Sequence, residues 1–224
     1  HEIKNPLASI RSAVEQMSKR PAATDDERTL GTLIVRESDR LSRLLTEFLD
    51  FARVRVTKQE PVDLGQIARG AASLAFAHPA KAGGVGLDVR VPGAALRFDG
   101  DEDLLHRAIF NLVLNAVQAA PPGTSVRVTA RALEQDQLPL GVPFERGAFE
   151  IAVSDEGPGI HADVRDRLFE PFSTTKTGGT GLGLAVAHRA IEAHSGYILV
   201  DTDSHGTRFS VLLPRTQRSS GGIA

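Results

Sequence analysis

The sequence predicts an α+β protein in which a two-helix hairpin, expected to dimerise into a four-helix bundle, is followed by an α/β sandwich. Apolar residues in the first fifty positions recur at steps of three and four, as in packed helices. Beyond a short stretch without this period, strand-like and helix-like segments alternate. The predicted segments are a hairpin domain at 1–56, a linker at 57–61, an α/β domain at 62–216 and a disordered tail at 217–224.

Composition excludes several classes of protein. The 224 residues are 41% hydrophobic and 24% charged, which is typical of folded domains. The net charge of −2 provides no general attraction for nucleic acid or an anionic membrane, and neither is an expected partner. The absence of cysteine excludes disulfides and thiolate sites and fits a cytoplasmic location.

The N-terminal segment enters a helical pattern at once. The chain starts at His1 without an initiator methionine, which indicates a fragment of a longer protein. No apolar run approaches the roughly 20 residues that span a bilayer, so no membrane contact is expected of this fragment, although its parent could be anchored. A helix beginning at His1 would fray there, so only weak self-association of this fragment is expected.

The predicted hairpin has one apolar seam on each helix. A break at Pro21 separates the helices, and Thr24 or Asp25 can cap the second. Further apolar residues, including Leu33, Leu45 and Leu49, lie off the second seam and require a partner, which a second chain would supply as a homodimer. The seams run through Ile3, Leu7, Ile10, Val14 and Met17, and through Leu30, Ile34, Glu37, Leu41, Leu44, Phe48 and Phe51.

The remainder predicts four helices and five strands in alternation, and a polar stretch at 134–147 predicts a long hairpin loop. The predicted helices are Leu64–His78, Asp101–Ala120, Ala162–Phe169 and Gly181–His194. The predicted strands are Gly86–Val91, Ser125–Leu133, Phe149–Ser154, Tyr197–Asp201 and Thr207–Leu213.

Two asparagines, Asn111 and Asn115, are four residues apart in a predicted helix and therefore share one face. Their amide oxygens could ligate a divalent cation such as Mg²⁺, while their amide donors could reach phosphate oxygens. Their mostly apolar neighbours favour a cleft, although two polar residues on one face are also typical of a solvent-exposed helix.

An acidic, glycine-rich turn, Asp155 to Gly159, directly follows the apolar strand Phe149–Ser154. A carboxylate there can accept a hydrogen bond from an adenine amino group, and Gly157 and Gly159 would let the backbone approach the base. By itself such a segment is usually only a turn.

Two further segments could form a phosphate site. In Phe169 to Lys176, two aromatic residues could anchor a mobile loop whose lysine reaches phosphates, although an ordinary surface loop would look the same. The glycine-rich run from Gly178 to Leu184 leads into a helix, whose N-terminal N–H groups favour phosphate. It matches neither the Walker pattern nor the dinucleotide fingerprint, since Val186 replaces the last glycine of the latter.

The order of these segments resembles that of the sensor histidine kinases of two-component signalling, particularly the nitrogen-regulation type. The resemblance runs from His1 to about Pro214. The matching motifs are the phosphoacceptor box from His1 to Pro6, the N box from Asn111 to Ala116, the first glycine box from Asp155 to Gly159, the F box from Phe169 to Phe172 and the second glycine box from Gly179 to Gly183.

The resemblance implies a Bergerat ATP-binding fold, in which a flexible lid covers ATP and Mg²⁺. It implies that His1 attacks the γ-phosphorus, that Glu2 acts as its general base, and that Asn5 supports dephosphorylation of a response regulator, whose receiver aspartate otherwise accepts the phosphoryl group. The chain departs from the family pattern at Gln118, where many members carry a basic residue soon after the N box. The implied nucleotide residues are Asn111, Asn115 as the metal ligand, Asp155, Gly157, Gly159, Lys176, Gly179, Gly181, Leu182, Gly183 and Thr207.

Three alternatives remain open at this point. A terminal histidine can be the remnant of a tag, although His1 is followed by a complete motif. The chain could be a degenerate module that binds ATP for sensing or scaffolding without transferring phosphate. It could also be a plain Bergerat-fold ATPase, which would not require the hairpin or the phosphoacceptor box.

Overall fold

The chain forms two compact units, residues 1–53 and 54–224. The computed structural model describes residues 4–20, 24–79, 83–174, 176 and 179–215, without the side chains of 4–6 and 50. Among the described helices, none is both long enough and apolar enough to cross a bilayer. The helices are α1 Lys4–Ser18, α2 Asp25–Ala52, α3 Leu64–Phe76, α4 Glu102–Ala119, α5 Ala162–Arg165 and α6 Gly183–Ala193.

The first unit is the predicted helical hairpin, α1 packed on α2. Thr24 caps α2 by a reciprocal pair of hydrogen bonds: its Oγ1 accepts from the N–H of Glu27 (3.2 Å), and the Glu27 carboxylate accepts from the N–H of Thr24 (2.7 Å). The proposed break at Pro21 lies outside the described residues. Small residues bring the helices together, because Gly31 and Ser38 are buried and the Ser38 hydroxyl donates to the Leu7 carbonyl (3.0 Å).

The predicted seams form only part of the contact between the two helices, since Val14 lies beside Gly31 whereas other seam residues are exposed. Apolar period shows which residues share a face but not which surface that face meets, so the sequence did not show which part of each seam is exposed. Leu45 and Leu49, which were expected to need a second chain, are half-buried in the single chain, whereas Leu33 is exposed. The exposed seam residues include Ile10, Met17, Leu30, Ile34 and Leu41.

The second unit is built on a five-stranded mixed sheet with strand order β2-β4-β5-β7-β6, in which only β2 and β4 are parallel. Helices α3, α4 and α6 pack together, and the residues between them and the sheet form the main apolar core. The strands are β1 Glu60–Asp63, β2 Gly86–Arg90, β3 Arg97–Gly100, β4 Ser125–Leu133, β5 Ala148–Asp155, β6 Tyr197–Asp203 and β7 Gly206–Pro214. The predicted fold class, a helical hairpin followed by an α/β sandwich, is confirmed.

Two short strands were missed by the sequence prediction. Strands β1 and β3 pair as a separate antiparallel sheet, so Glu60 and Pro61 belong to a strand rather than to the predicted linker. Each has only four residues, too few to show an alternating pattern, and their pairing depends on contacts distant in sequence. The helix predicted at Ala162–Phe169 is also shorter, since α5 ends at Arg165 and continues as turns.

The N-terminus of α4 is held by Asp101. One oxygen of its carboxylate accepts from the N–H of Leu104 (3.2 Å), which caps the helix. The other accepts from the N–H and hydroxyl of Thr57 (3.1 and 3.2 Å) and from the N–H of Lys58 (3.4 Å). Asp101 therefore fixes both the start of α4 and the segment that precedes β1.

Candidate functional site

Helix α4 supplies one wall of the candidate site. Asn111 and Asn115 are half-buried on one face, one helical turn apart, above the fully buried Leu112 and Val113. Gln118 follows Asn115 by three residues and shares this face. Because the opposite side of the helix is needed for the core, the polar residues are confined to the side that the loops approach.

The end of strand β5 supplies a buried carboxylate. Asp155 is 7% exposed, and its Oδ1 accepts from the N–H of Gly157 (2.8 Å). Burial raises the pKa of Asp155 above its ordinary value of 3.8, and hydrogen bonds from the backbone of Gly157 and Thr207 and the charge of Lys176 offset this only in part. A buried acceptor at a strand end suits recognition of a donor on a planar ligand.

The glycines after β5 permit close approach of backbone segments. A Cβ at Gly157 would lie 2.9 Å from the carbonyl oxygen of Ala119 at the end of α4, so this turn packs directly against that helix. Gly159 has φ +76° and packs against the carbonyl of Asp203, where a side chain would clash. The first glycine box thus joins α4 to the β6–β7 hairpin.

Thr207 lies beside Asp155 in the sheet, since the two are paired in the register of β5 and β7. It is buried, and its hydroxyl shares a hydrogen bond with that of Thr202 (3.1 Å). The Thr202 hydroxyl also accepts from the N–H of Ile160 (2.9 Å). Thr202 was missed by the sequence prediction because only the β6–β7 pairing brings it to this place.

A lysine reaches α4 from the loop after α5. The Nζ of Lys176 donates to Oδ1 of Asn115 (2.7 Å) and to Oε1 of Gln118 (2.9 Å). Desolvation lowers its pKa below the ordinary 10.5, and the charge of Asp155 opposes this. The residue as a whole is exposed, and its ammonium group is held by these two hydrogen bonds.

The second glycine box leads into α6 beside Asn111. A Cβ at Gly183 would lie 3.6 Å from Oδ1 of Asn111, so the first residue of α6 faces the amide side of α4. Leu182 is fully buried and occupies the N-cap position without a side-chain cap, which leaves N–H groups of the first turn for a ligand.

Two other glycines of this loop allow close contacts between its own backbone segments. Gly181 has φ +70°, its carbonyl accepts from the N–H of Phe172 (3.1 Å), and a side chain there would clash with the Phe172 backbone. Gly179 packs against Thr174 and donates to the carbonyl of Lys176 (3.0 Å). The base of the loop is anchored by Phe169, whose ring stacks on His188 at 4.7 Å between centroids.

Eleven of the predicted site residues thus lie on three neighbouring parts of one unit: the face of α4, the end of β5 with its partner in β7, and the loop before α6. The phosphoacceptor residues cannot be placed in the same way. His1 and Glu2 lie outside the described residues, and Asn5 lies in α1 with its side chain outside the description.

Comparison with known proteins agrees with this geometry. Residues 100–217, more than half of the chain, match the family described as histidine kinase-, DNA gyrase B- and HSP90-like ATPases. The chain belongs to this ATPase family. Residues 1–56 match the His Kinase A phospho-acceptor domain, so the resemblance to sensor histidine kinases is confirmed. The family assigns ATP as the nucleotide of the second unit.

Similar proteins are sensor kinases. The chain is 33% identical to the sensor histidine kinase ZraS of Escherichia coli K12, over 96% of this chain and 43% of that protein. It is 35% identical to the sensory histidine kinase/phosphatase NtrB of Rhodobacter capsulatus, over 96% and 59%. The crystal structure of full-length ShkA in complex with AMPPNP matches 96% of this chain and 44% of that one, with a TM-score of 0.71 and 28% identity. The chain therefore spans less than two thirds of these relatives.

Proposed function

We propose that this chain is the catalytic part of an ATP-dependent protein histidine kinase that phosphorylates its own His1. The observation that carries the proposal is the convergence of Asn115, Lys176 and Asp155 on one site within the ATPase-family unit. The match of residues 1–56 to the phospho-acceptor domain supports the presence of an acceptor histidine in this segment, which we assign to His1.

In this proposal Asp155 and Thr207 bind the adenine. The buried carboxylate accepts from the adenine amino group, and the Thr207 hydroxyl supports the same edge of the base. Gly157 and Gly159 line the pocket, where side chains would obstruct the backbone turn. The phosphates lie at the N-terminus of α6, bound by Lys176 and by the loop residues Gly179, Gly181, Leu182 and Gly183.

The donor set of α4 also suits Mg²⁺, which prefers oxygen ligands and keeps several waters. The Asn115 amide oxygen already accepts from a cation, the Lys176 ammonium, so it points to a position where positive charge is stabilised. We therefore assign Asn115 as a metal ligand with Asn111 as its helper. When bound, Mg²⁺ would neutralise charge on the phosphate oxygens.

The reaction begins with a neutral imidazole nitrogen of His1. A bond forms between this nitrogen and the γ-phosphorus, the bond from that phosphorus to the β–γ bridging oxygen breaks, and ADP leaves with the electron pair. Glu2 accepts the proton from the other ring nitrogen. The phosphoryl group then passes to an aspartate in the receiver domain of a response regulator. Asn5, on the same helix face as His1, would position water for dephosphorylating that regulator.

The hairpin is proposed to form a homodimer. Leu30, Ile34 and Leu41 lie at heptad-like spacing on α2 and are 58%, 44% and 46% exposed in the single chain. A second hairpin would cover them in a four-helix bundle. Sedimentation over a range of concentrations should show a monomer–dimer equilibrium, and replacing Ile34 with lysine should shift it towards monomer. A monomer at every concentration would contradict this assignment.

The kinase proposal is tested with γ-labelled ATP and Mg²⁺ at high protein concentration. We expect acid-labile, alkali-stable label on the wild-type chain and none on His1→Gln, which should still bind nucleotide. His205→Gln, an exposed histidine of the second unit, is the matched control and should retain the label. Nucleotide binding without any label would indicate a binding module, and equal phosphate release by wild type and His1→Gln would indicate a plain ATPase.

A further inference from the structure

The contact between Lys176 and α4 has a feature that nucleotide binding alone does not explain. The ammonium group is held by two neutral amide oxygens on one helical face, Asn115 Oδ1 at 2.7 Å and Gln118 Oε1 at 2.9 Å. One of these oxygens is the proposed Mg²⁺ ligand. The other belongs to a residue to which the proposed function gives no role.

Mg²⁺ and the Lys176 ammonium group cannot both bind Oδ1 of Asn115 without electrostatic repulsion between them. Mg²⁺ binds oxygen at about 2.0–2.1 Å, so a metal on Oδ1 would lie within about 5 Å of an ammonium group on the same oxygen. Two positive charges at that separation repel each other, and only one of them is needed to satisfy the amide. Binding of the metal therefore favours release of Lys176 from Asn115.

We propose that Gln118 is a positioning residue that holds Lys176 on Asn115, so that the lysine ammonium and Mg²⁺ compete for one amide oxygen. This inference rests on the proposed nucleotide site. Gln118 acts through Lys176 rather than on the metal: a glutamine three residues after Asn115 reaches the same ammonium, and its second hydrogen bond makes Lys176 harder to displace. Gln118 thereby raises the Mg²⁺ concentration that nucleotide binding requires.

The first test is an Mg²⁺ titration of the binding of a non-hydrolysable ATP analogue to the full chain. Gln118→Leu removes the acceptor and keeps a side chain of similar size, and it should lower the half-saturating Mg²⁺ concentration about threefold, as expected for one exposed hydrogen bond. Gln66→Leu, the same substitution at an exposed position of α3, is the control and should leave it unchanged.

A double-variant cycle separates an action through Lys176 from a direct action on the metal. Lys176→Met should also lower the half-saturating Mg²⁺ concentration, although nucleotide affinity itself falls because a phosphate contact is lost. In the Lys176→Met background, Gln118→Leu should have no further effect. An equal shift in both backgrounds, or no shift in the wild-type background, would overturn the inference.

The second test uses the nucleotide-free chain and needs no activity. Trypsin cleaves after Lys176 only when its side chain enters the protease, which requires both hydrogen bonds to break. Gln118→Leu should speed cleavage after Lys176 about threefold relative to cleavage after the exposed Arg165, with both fragments followed by mass spectrometry. An unchanged ratio of cleavage after Lys176 to cleavage after Arg165 would contradict the proposal that Gln118 keeps Lys176 on Asn115.

Failure of this inference can be distinguished from failure of the proposed function. If the wild-type chain binds the ATP analogue with an Mg²⁺ dependence that Asn115→Ala abolishes, the nucleotide site stands whatever Gln118→Leu shows. If no Mg²⁺-dependent binding occurs, the proposed function fails, and competition between the lysine and the metal fails with it.

Discussion

Replacing Asp155 with asparagine is expected to weaken ATP binding by about 100-fold while leaving the fold intact. The carboxylate is buried and accepts from the N–H of Gly157, so an asparagine at this position would keep its oxygen on that N–H. Its NH₂ group would then face the adenine amino group, donor against donor. Isothermal titration calorimetry with the ATP analogue and Mg²⁺ measures the change.

The same substitution should change which base is preferred. Inosine triphosphate carries a carbonyl where ATP carries the amino group, so the wild-type carboxylate should reject it, whereas an asparagine NH₂ can donate to it. We expect the preference for ATP over ITP to fall by at least tenfold in Asp155→Asn. Asp201→Asn, an exposed aspartate on β6, is the matched control. An unchanged preference would contradict the assignment of Asp155 to the adenine.

The pH dependence of this variant follows from the raised pKa of Asp155. A carboxyl whose pKa is raised on folding is stabilised in its protonated form, so its ionisation opposes folding as pH rises through the folded-state pKa. At pH 7, Asp155→Asn should therefore be at least as stable as wild type. Because the ionised form accepts the amino group, wild-type ATP affinity should fall on acidification at a pH above the ordinary 3.8.

Replacing Asp101 with alanine should lower the free energy of unfolding by about 3 kcal/mol, because it removes an N-cap, worth roughly 1 kcal/mol, and hydrogen bonds to Thr57 and Lys58. The effect should extend beyond α4, since the same carboxylate accepts from Thr57 in the segment before β1. Urea denaturation of the full chain, followed by circular dichroism, gives the difference.

The contribution of Asp101 to the free energy of unfolding depends on pH in the opposite direction to that of Asp155. Burial alone raises the pKa of Asp101, but the hydrogen bonds from Thr57, Leu104 and Lys58 outweigh this, and the pKa lies below 3.8 in the folded state. The stabilisation is therefore complete above pH 3.8 and is lost as pH falls through the lower folded-state value. The difference between wild type and Asp101→Ala should be constant from pH 8 to about pH 5. Asp99→Ala, an exposed neighbour, should change stability by less than about 0.5 kcal/mol.

Much of the fold was predictable because its elements have strong local signals. Strand Ser125–Leu133 was predicted with its observed bounds, and α4 within one residue at each end, since each has a clear apolar period and a capping or turn residue beside it. Strands β1 and β3 lack such signals and exist through their pairing with each other. For the same reason the predicted linker extended into β1 at Glu60 and Pro61.

The hairpin shows the limit of apolar period as evidence. The heptad-like series in α2 predicted a packed helix, but buried Gly31 and Ser38 lie in the contact with α1 and much of that series is exposed. Small residues permit the closest approach of two helices, whereas large apolar residues can serve any neighbouring surface. Only the packed structure distinguishes these roles.

By itself, the sequence determined the order of the elements, the polar face of α4, the acidic turn after β5 and the glycine loop before α6, because caps, turns and helical faces depend on residues a few positions apart. The tertiary structure decided which of these segments meet. The pairing of Asp155 with Thr207 and the bonds from Lys176 to Asn115 and Gln118 join residues about 50 to 60 positions apart. Such contacts follow from sheet register and helix packing, which no local pattern specifies.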